Sequence, residues 1–389
     1  METYSKKSIE NVGGSLPLAE YEAAIEKTDM FLSDDITPVL LGLFGEVGSI
    51  MAATKKYRRE EKAYTGYKES VEEEFGDALW YFTAICRRFD LRISDIFEAA
   101  FNNNDLKTIS ANDSEDAPIS QIITSEKIND LDETFIALGC ATAKLLKVNK
   151  NTDQNFDCLV EFARIYIQSL QSIGLSFAKV ARENIKKAVG RFEKPIASTL
   201  PDFDAEFREE EQLPRNFEIE ITQRDSGQSY LRWNGVFLGS PLTDNIRDPD
   251  GYRFHDVFHL AHAAILHWSP TFRALIKHKR KSDPIFDEAQ DGGRAIVVEE
   301  GLTAWLYSYA KDLDYFEGHN SVSFDVLKII KKFVNGYEVH ECPLNLWEDA
   351  ILQGYEVFRQ VKKYNGGIII GDREQRTLRY RKIGEQYES

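Results

Sequence analysis

The stretch Val71-Glu72-Glu73-Glu74-Phe75-Gly76-Asp77-Ala78-Leu79-Trp80-Tyr81-Phe82, running on to Phe89, carries the clearest periodicity in the chain. Val71, Phe75, Ala78, Phe82, Ile85 and Phe89 recur at spacings of three and four, the pattern of one helical stripe. At about 100° per residue Trp80 falls nearly opposite that stripe, so the helix is apolar on two sides. Glu74 and Asp77 lie a turn apart on one face beside the stripe. Such a helix leaves its carboxylates little open solvent, and uncompensated acids there are costly. A bound divalent cation removes that cost. A solvated acidic face, ordinary in a chain with 29% charged residues, avoids it. Spacing alone leaves both open.

Working outward, Val39 to Ala53 forms a preceding helix that contains Gly42-Leu43-Phe44-Gly45-Glu46-Val47-Gly48 and runs into Lys55-Lys56-Tyr57-Arg58-Arg59. Leu18, Tyr21, Ala24 and Ile25 mark an earlier helix, and Ser94 is placed to cap another over Asp95 to Phe101. Gly45, Gly48 and Gly76 sit inside good helices, each costing roughly 1 kcal/mol relative to alanine. That cost is tolerated where another helix or a ligand approaches the backbone.

GLFGEVGSI (42–50) followed by EEFGDALWYF (73–82) resembles the two helices that define MazG-like nucleoside triphosphate pyrophosphohydrolases, with ExxE on one and ExxD on the other. Tyr21-Glu22-Ala23-Ala24 and Thr28 are similar to the family's first helix, and the resemblance covers about residues 17–107. It implies an all-α module in which Glu46, Glu74 and Asp77 are catalytic and hold Mg2+, with Mn2+ as the alternative ion. The implied reaction cleaves a ribo- or deoxyribonucleoside triphosphate to monophosphate and pyrophosphate. The second acid of ExxE falls here at Ser49, and Glu73 is a neighbour placed to compensate. The family's substrate-binding Asn and Lys correspond to Asn104 and Lys107 at a shifted spacing. Lys55 and Lys56 suit phosphate charge, or form a solvated helix end. Trp80 and Tyr81 suit stacking on a base, or the core. A homo-oligomer is also implied.

Residues 129–195 repeat this pattern weakly. Leu138-Gly139 stands for Phe44-Gly45, Leu159-Val160-Glu161-Phe162 for Glu72 to Phe75, and Leu175-Ser176-Phe177 for Leu91-Arg92-Ile93. Cys140 replaces Glu46 and Arg164 replaces Asp77, and only Glu161 remains. Yet Asn184-Ile185-Lys186-Lys187 and Arg191 resemble the family's Asn-Lys-Arg tail. The second repeat would then bind no metal by itself but complete a nucleotide pocket shared with the first.

Residues 108–128 read as a linker, and the stretch from Pro195 to Pro214 marks the next boundary. FEIEITQRDSGQSYLRWNGVFLG (217–239) alternates around an Asp225-Ser226-Gly227 turn, the one convincing hairpin. Helical patterns follow at His255 to Leu266, Thr271 to His278, Gly293 to Ala310, Val326 to Val334 and Leu346 to Tyr364. The expected architecture is therefore predominantly all-α: a pyrophosphohydrolase module over 1–112, a degenerate second module over 129–195, and a mostly helical C-terminal domain with a small hairpin or sheet over 215–389.

In that last part three of the seven histidines fall within Tyr252 to His262. His255 and His259 are four apart and Asp256 is three before His259, which allows a second metal site. Asp287, Glu288, Asp291, Glu299 and Glu300 are acids that would complete it. Lys277, Lys279, Arg280 and Lys281 form a basic cluster suited to phosphate. The His-Asp adjacency resembles HD-type phosphohydrolases, whose other ligands are not evident, and this half suggests no family by name.

A formal net charge of −16 argues against binding a nucleic-acid backbone directly. Cys86, Cys140, Cys158 and Cys342 form no CxxC pair, the usage of a reduced compartment. No apolar leader and no run of about 18 apolar residues is read, so a cytoplasmic protein without a membrane partner is expected. The leading expectation is the pyrophosphohydrolase. The alternatives are a nucleotide-binding sensor without catalysis, and a metal-dependent phosphohydrolase acting through His255, Asp256 and His259.

Overall fold

The computed structural model describes residues 18–31, 35–101, 131–148, 155–192 and 199–384. Two compact units divide the chain, Met1–Glu193 and Lys194–Ser389. Helices predominate, and a single small sheet in the second unit completes the described secondary structure. Asn104, Lys107 and the 108–128 linker lie outside the described residues.

The first unit is helical: α1 (Leu18–Thr28), α2 (Thr37–Glu60), α3 (Tyr67–Arg88), α4 (Ile93–Phe101), α5 (Leu131–Leu145), α6 (Asn155–Ser172) and α7 (Phe177–Phe192). Helix α2 starts where Asp35 Oδ1 accepts Thr37 N–H at 2.9 Å and Pro38 occupies the first turn. It runs on through the basic stretch, longer than the sequence suggested, because Lys and Arg are good helix formers. The segment Thr37–Ala63 is also long and apolar enough to count as a membrane span by composition. Its Val39, Leu43, Val47 and Ile50 are buried in the core of the unit.

Helix α2 packs along α3 and α5 along α6, while α7 lies against α1 and α3. The α3 stripe meets α6: Phe82 and Phe162 ring centroids are 4.7 Å apart, and Phe75 meets Tyr166 edge-on at 5.4 Å. Tyr166 also donates to the Phe75 carbonyl at 2.8 Å, which fixes the height of α6 on α3. Ser94 does not cap α4. It lies inside the helix, and the Glu22 carboxylate takes the Ile93 N–H instead, a cap supplied from α1 that local spacing cannot show.

In the second unit the strands β1 (Asn216–Gln223), β2 (Ser229–Trp233), β3 (Val236–Leu242), β4 (Gly366–Asp372) and β5 (Thr377–Arg381) form one antiparallel sheet ordered β3-β2-β1-β4-β5. The 217–239 hairpin is its β1–β2 pair, joined through a turn with Gly227 at φ 79°. Sequence periodicity missed β4 and β5. Ile368-Ile369-Ile370 is an unbroken apolar run, and its pairing with β1 spans more than a hundred residues.

Helix α8 (Asp256–Ala261) passes into one wide π turn, His262–Leu266, and is followed by α9 (Pro270–Ile276), α10 (Pro284–Ala289), α11 (Gly293–Lys311), α12 (Phe324–Phe333) and α13 (Leu344–Tyr364). Helix α13 crosses β4 and β5 and packs on α8 through Phe258, Tyr355 and Phe358. Arg373 is buried and bonds Asp202, Asp204 and the Leu213 carbonyl, so the irregular segment before β1 is held by charge.

The helix glycines separate into two kinds. A Cβ on Gly76 would come within 2.9 Å of Asn184 Cβ on α7, whereas a Cβ on Gly45 or Gly48 would meet nothing within 4 Å. Gly45→Ala and Gly48→Ala should each stabilise the isolated protein by about 0.5–1 kcal/mol through helix propensity. Gly76→Ala should lose that gain to strain of about 1–3 kcal/mol between α3 and α7. Denaturant midpoints of the three variants check the contrast.

Candidate active site

Helices α2 and α3 bring Glu46, Glu74 and Asp77 together, with one carboxylate oxygen from each within 4.8 Å of the others. All three are half-buried. A cation comes from α7. Lys187 Nζ lies 2.5 Å from Asp77 Oδ2 and 2.8 Å from Glu73 Oε1. Asn184 Nδ2 donates to the other Asp77 oxygen at 3.0 Å, and Tyr21 OH on α1 donates to Asn184 Oδ1 at 2.7 Å. A chain of hydrogen bonds thus runs from α1 through α7 to the carboxylate on α3. Gly76, one residue before Asp77, leaves the space that lets Asn184 reach it.

Burial comes first in pushing the Glu46 carboxyl up to about 8. A shared hydrogen bond with Glu74 and the charges of Asp77 and Glu74 add to it, and Lys187 opposes them. Tyr81 is raised as well, by burial and then by Glu46 and Asp77. Its ring lies over the α2 backbone at Gly42, where a Cβ would stand 2.2 Å from Tyr81 Cε1. Gly42 therefore seats Tyr81 beside Glu46, a role its place in GLFGEVG hints at only as another helix glycine.

Of the residues expected to bind substrate, Asn184 and Lys187 converge on Asp77, and Tyr81 is half-buried next to Glu46. Trp80 is a core residue: its indole N–H donates to Thr28 Oγ1 at 3.0 Å and its ring packs edge-on to Phe31 and Tyr81. Base stacking by Trp80 is corrected on that ground, since both sides of α3 are packed. Lys55 and Lys56 lie exposed near the end of α2, with Lys56 3.9 Å from Glu60 and over the Tyr64 ring. Arg191 stands in the last turn of α7. Ser49 is half-buried on α2. Glu73, on α3, lies outside the carboxylate cluster and shares Lys187 with Asp77. In the second helical stretch Glu161 pairs with Lys144 at 2.7 Å, and Arg164 donates to the Ala100 carbonyl at the end of α4. The first is a surface ion pair and the second caps a helix end.

In the second unit His255, Asp256 and His259 also have ligand atoms within 4.8 Å of one another, and His259, His262 and Glu299 form an overlapping group. Glu299 and Glu300 reach this cluster. Asp291 does not: it is buried with Arg280, at 2.7 Å, and Arg273. Asp287 and Glu288 on α10 are not in either group. Arg280, fully buried between Asp291 and Glu338, is no anchor for phosphate. Its place in a basic run concealed four side-chain bonds to carboxylates.

Residues 198–384 match the family model of the MazG C-terminal domain. The second unit is similar to that domain. The match covers the second unit, just under half of the chain, and supplies the family name that the sequence reading of that half lacked. No curated protein and no solved structure matches this chain.

The raised Glu46 gives a pH signature. Its folded value of about 8 exceeds the ordinary carboxylate value, so between the two the folded protein binds more protons than the unfolded one. Stability then falls as pH rises through that window. In the presence of a chelator the melting temperature should drop between about pH 5 and about pH 8.5, and Glu46→Gln should flatten the slope. Differential scanning calorimetry across that range checks the sign.

Proposed function

We propose that the N-terminal unit of this MazG-like chain hydrolyses nucleoside triphosphates to a nucleoside monophosphate and pyrophosphate, with Mg2+ held by Glu46, Glu74 and Asp77. The observation that carries this reading is the convergence of those carboxylates from α2 and α3 within 4.8 Å, braced from α7 by Asn184 and Lys187.

The donor set fits the ion. Only oxygens are offered, the chemistry that Mg2+ takes. Burial and the neighbouring acids leave Glu46 protonated near neutral pH, so the cluster is short of positive charge. A divalent cation supplies that charge and, when bound, neutralises the phosphates and polarises the phosphorus under attack.

The chain's own groups supply the rest. Asn184 and Lys187 hold Asp77 in one rotamer by taking both of its oxygens, which fixes the carboxylate against which the triphosphate is aligned. Lys187 also carries the positive charge that the leaving pyrophosphate needs. Glu46, relieved of its proton by the cation, keeps a carboxylate oxygen beside the cluster that can accept a hydrogen bond from the attacking water. Water adds at the α-phosphorus, the bond to the bridging oxygen of the β-phosphate breaks, and pyrophosphate departs with that electron pair. Tyr81, half-buried beside Glu46, remains the aromatic side chain suited to stack on the base.

Ser49 favours one other reading, a sensor that binds nucleotide without cleaving it, since a pocket with one acid fewer binds better than it turns over. A panel of ribo- and deoxynucleoside triphosphates incubated with Mg2+ separates the two. Paired release of monophosphate and pyrophosphate, reduced about 10²–10³-fold by Asp77→Ala, is the expected outcome. Lys187→Ala should raise KM. Tight nucleotide binding with no pyrophosphate would establish the sensor instead.

A further inference from the structure

The wide π turn at His262–Leu266 and the helix before it hold a second cluster, one built from nitrogen as well as oxygen donors. Wide turns of this kind are rare and concentrate at functional positions. Gly251, at φ 98°, turns the chain into Tyr252–Phe254, and α8 follows, so that His255 and His259 share a helical face.

Each ring turns Nδ1 toward an oxygen. His255 Nδ1 is 2.9 Å from the Tyr252 carbonyl, and His259 Nδ1 is 3.0 Å from Glu299 Oε1. The other nitrogens meet Glu300 on α11. His255 Nε2 lies 3.6 Å from Glu300 Oε2, and His259 Nε2 lies 3.3 Å from Glu300 Oε1. Asp256 adds its carboxylate within 4.8 Å of both histidines' ligand atoms.

Glu299 is fully buried and fixed on several sides. Its oxygens take Ser269 Oγ at 2.8 Å, the Thr271 N–H at 2.9 Å and His262 Nδ1 at 2.9 Å. This is the arrangement in which one imidazole nitrogen is oriented by a carboxylate or carbonyl so that the other faces a metal.

His259 shows what the cluster lacks. It is 1% exposed, and its ring nitrogens have carboxylate oxygens at 3.0 and 3.3 Å but no partner in full hydrogen-bond geometry among the described residues. Buried polar atoms are nearly always satisfied.

We propose that the C-terminal unit carries a divalent transition-metal site of its own, formed by His255, Asp256, His259 and Glu300, with Glu299 as the positioning carboxylate for His259 and His262. Two imidazoles with two carboxylates suit Zn2+, Mn2+ or Fe2+ rather than Mg2+, which takes oxygen donors. Glu300 is partly exposed, with 39% of its side chain open, so the ion is reached from solvent and can take a further ligand there. On the other side a small cavity lies against His262, lined also by Thr303, Trp347 and Tyr355. The Thr303 hydroxyl, Trp347 indole nitrogen and Tyr355 hydroxyl on that wall have no hydrogen-bond partner among the described residues.

The test uses the full chain, stripped with a chelator and reloaded with Zn2+ in excess Mg2+, which occupies the oxygen-only site of the first unit. Mass-spectrometric metal analysis should find about one zinc retained per chain, and Glu300→Gln and His255→Gln should each weaken it at least about tenfold. Asp77→Asn should leave it unchanged. Glu300→Gln changes a partly exposed group, so circular dichroism should show it folded, and its result stands even if a buried histidine variant does not fold. Folded wild type that retains no zinc would overturn the proposal, as would retention equal in Glu300→Gln or lost in Asp77→Asn. None of these readings depends on whether the first unit hydrolyses nucleotides.

Discussion

The first unit is organised around the clamp on Asp77. Both oxygens of one carboxylate are taken by a single helix, α7, through Asn184 and Lys187. That requires α7 to lie close enough to α3 for Asn184 Cβ to crowd Gly76. The approach is set in turn by Tyr21, which holds Asn184 from α1, and by the aromatic layer of Phe75, Phe82, Phe162 and Tyr166 that presses α3 onto α6. Packing and site geometry are one constraint here. A shift of a few tenths of an ångström between α3 and α7 would cost little in burial, but it would unseat the carboxylate on which the cluster turns.

Much of this was legible because helical periodicity is local. The α3 stripe places Phe75 and Phe82 inward and Glu74 and Asp77 beside them, and the structure keeps all four there. Glu46 was legible only through the resemblance of GLFGEVGSI, since nothing in its spacing ties it to residues on another helix. Asn184 and Lys187 were singled out for the nucleotide. Their contact with Asp77, across more than a hundred residues, is a tertiary fact without a local signature. Trp80 shows the opposite failing: an aromatic beside an acid motif looks like a ligand platform until Thr28 is seen to hold its indole nitrogen.

The second unit was harder to read for physical reasons that differ by element. Strands β4 and β5 are assembled with β1 from opposite ends of the unit, and an unbroken isoleucine run has no period to betray a strand. Arg280 sits in a run of lysines that are exposed or half-buried, yet it alone there is fully buried, where Asp291 and Glu338 offset its desolvation. The histidines were visible as residues, and Glu299 and Glu300 as acids that could join them. What the sequence withheld was the division of labour between those two neighbours, one buried and bonded on every side, the other at the solvent edge.

That division is a matter of helix geometry. Consecutive residues on α11 point about 100° apart, so a pair of adjacent glutamates facing α8 must present one carboxylate inward and the other to the rim. Glu299 meets Ser269, Thr271 and two histidines, and Glu300 is left to meet the outer nitrogens. The carboxylate cluster of the first unit lacks this layering. Its acids come from two helices and are balanced by a lysine, not by imidazoles. One arrangement offers oxygen alone and the other offers nitrogen and oxygen, so in a medium rich in Mg2+ they need not compete for the same ion. Donor chemistry, rather than affinity, is what would let one chain keep two metal sites distinct.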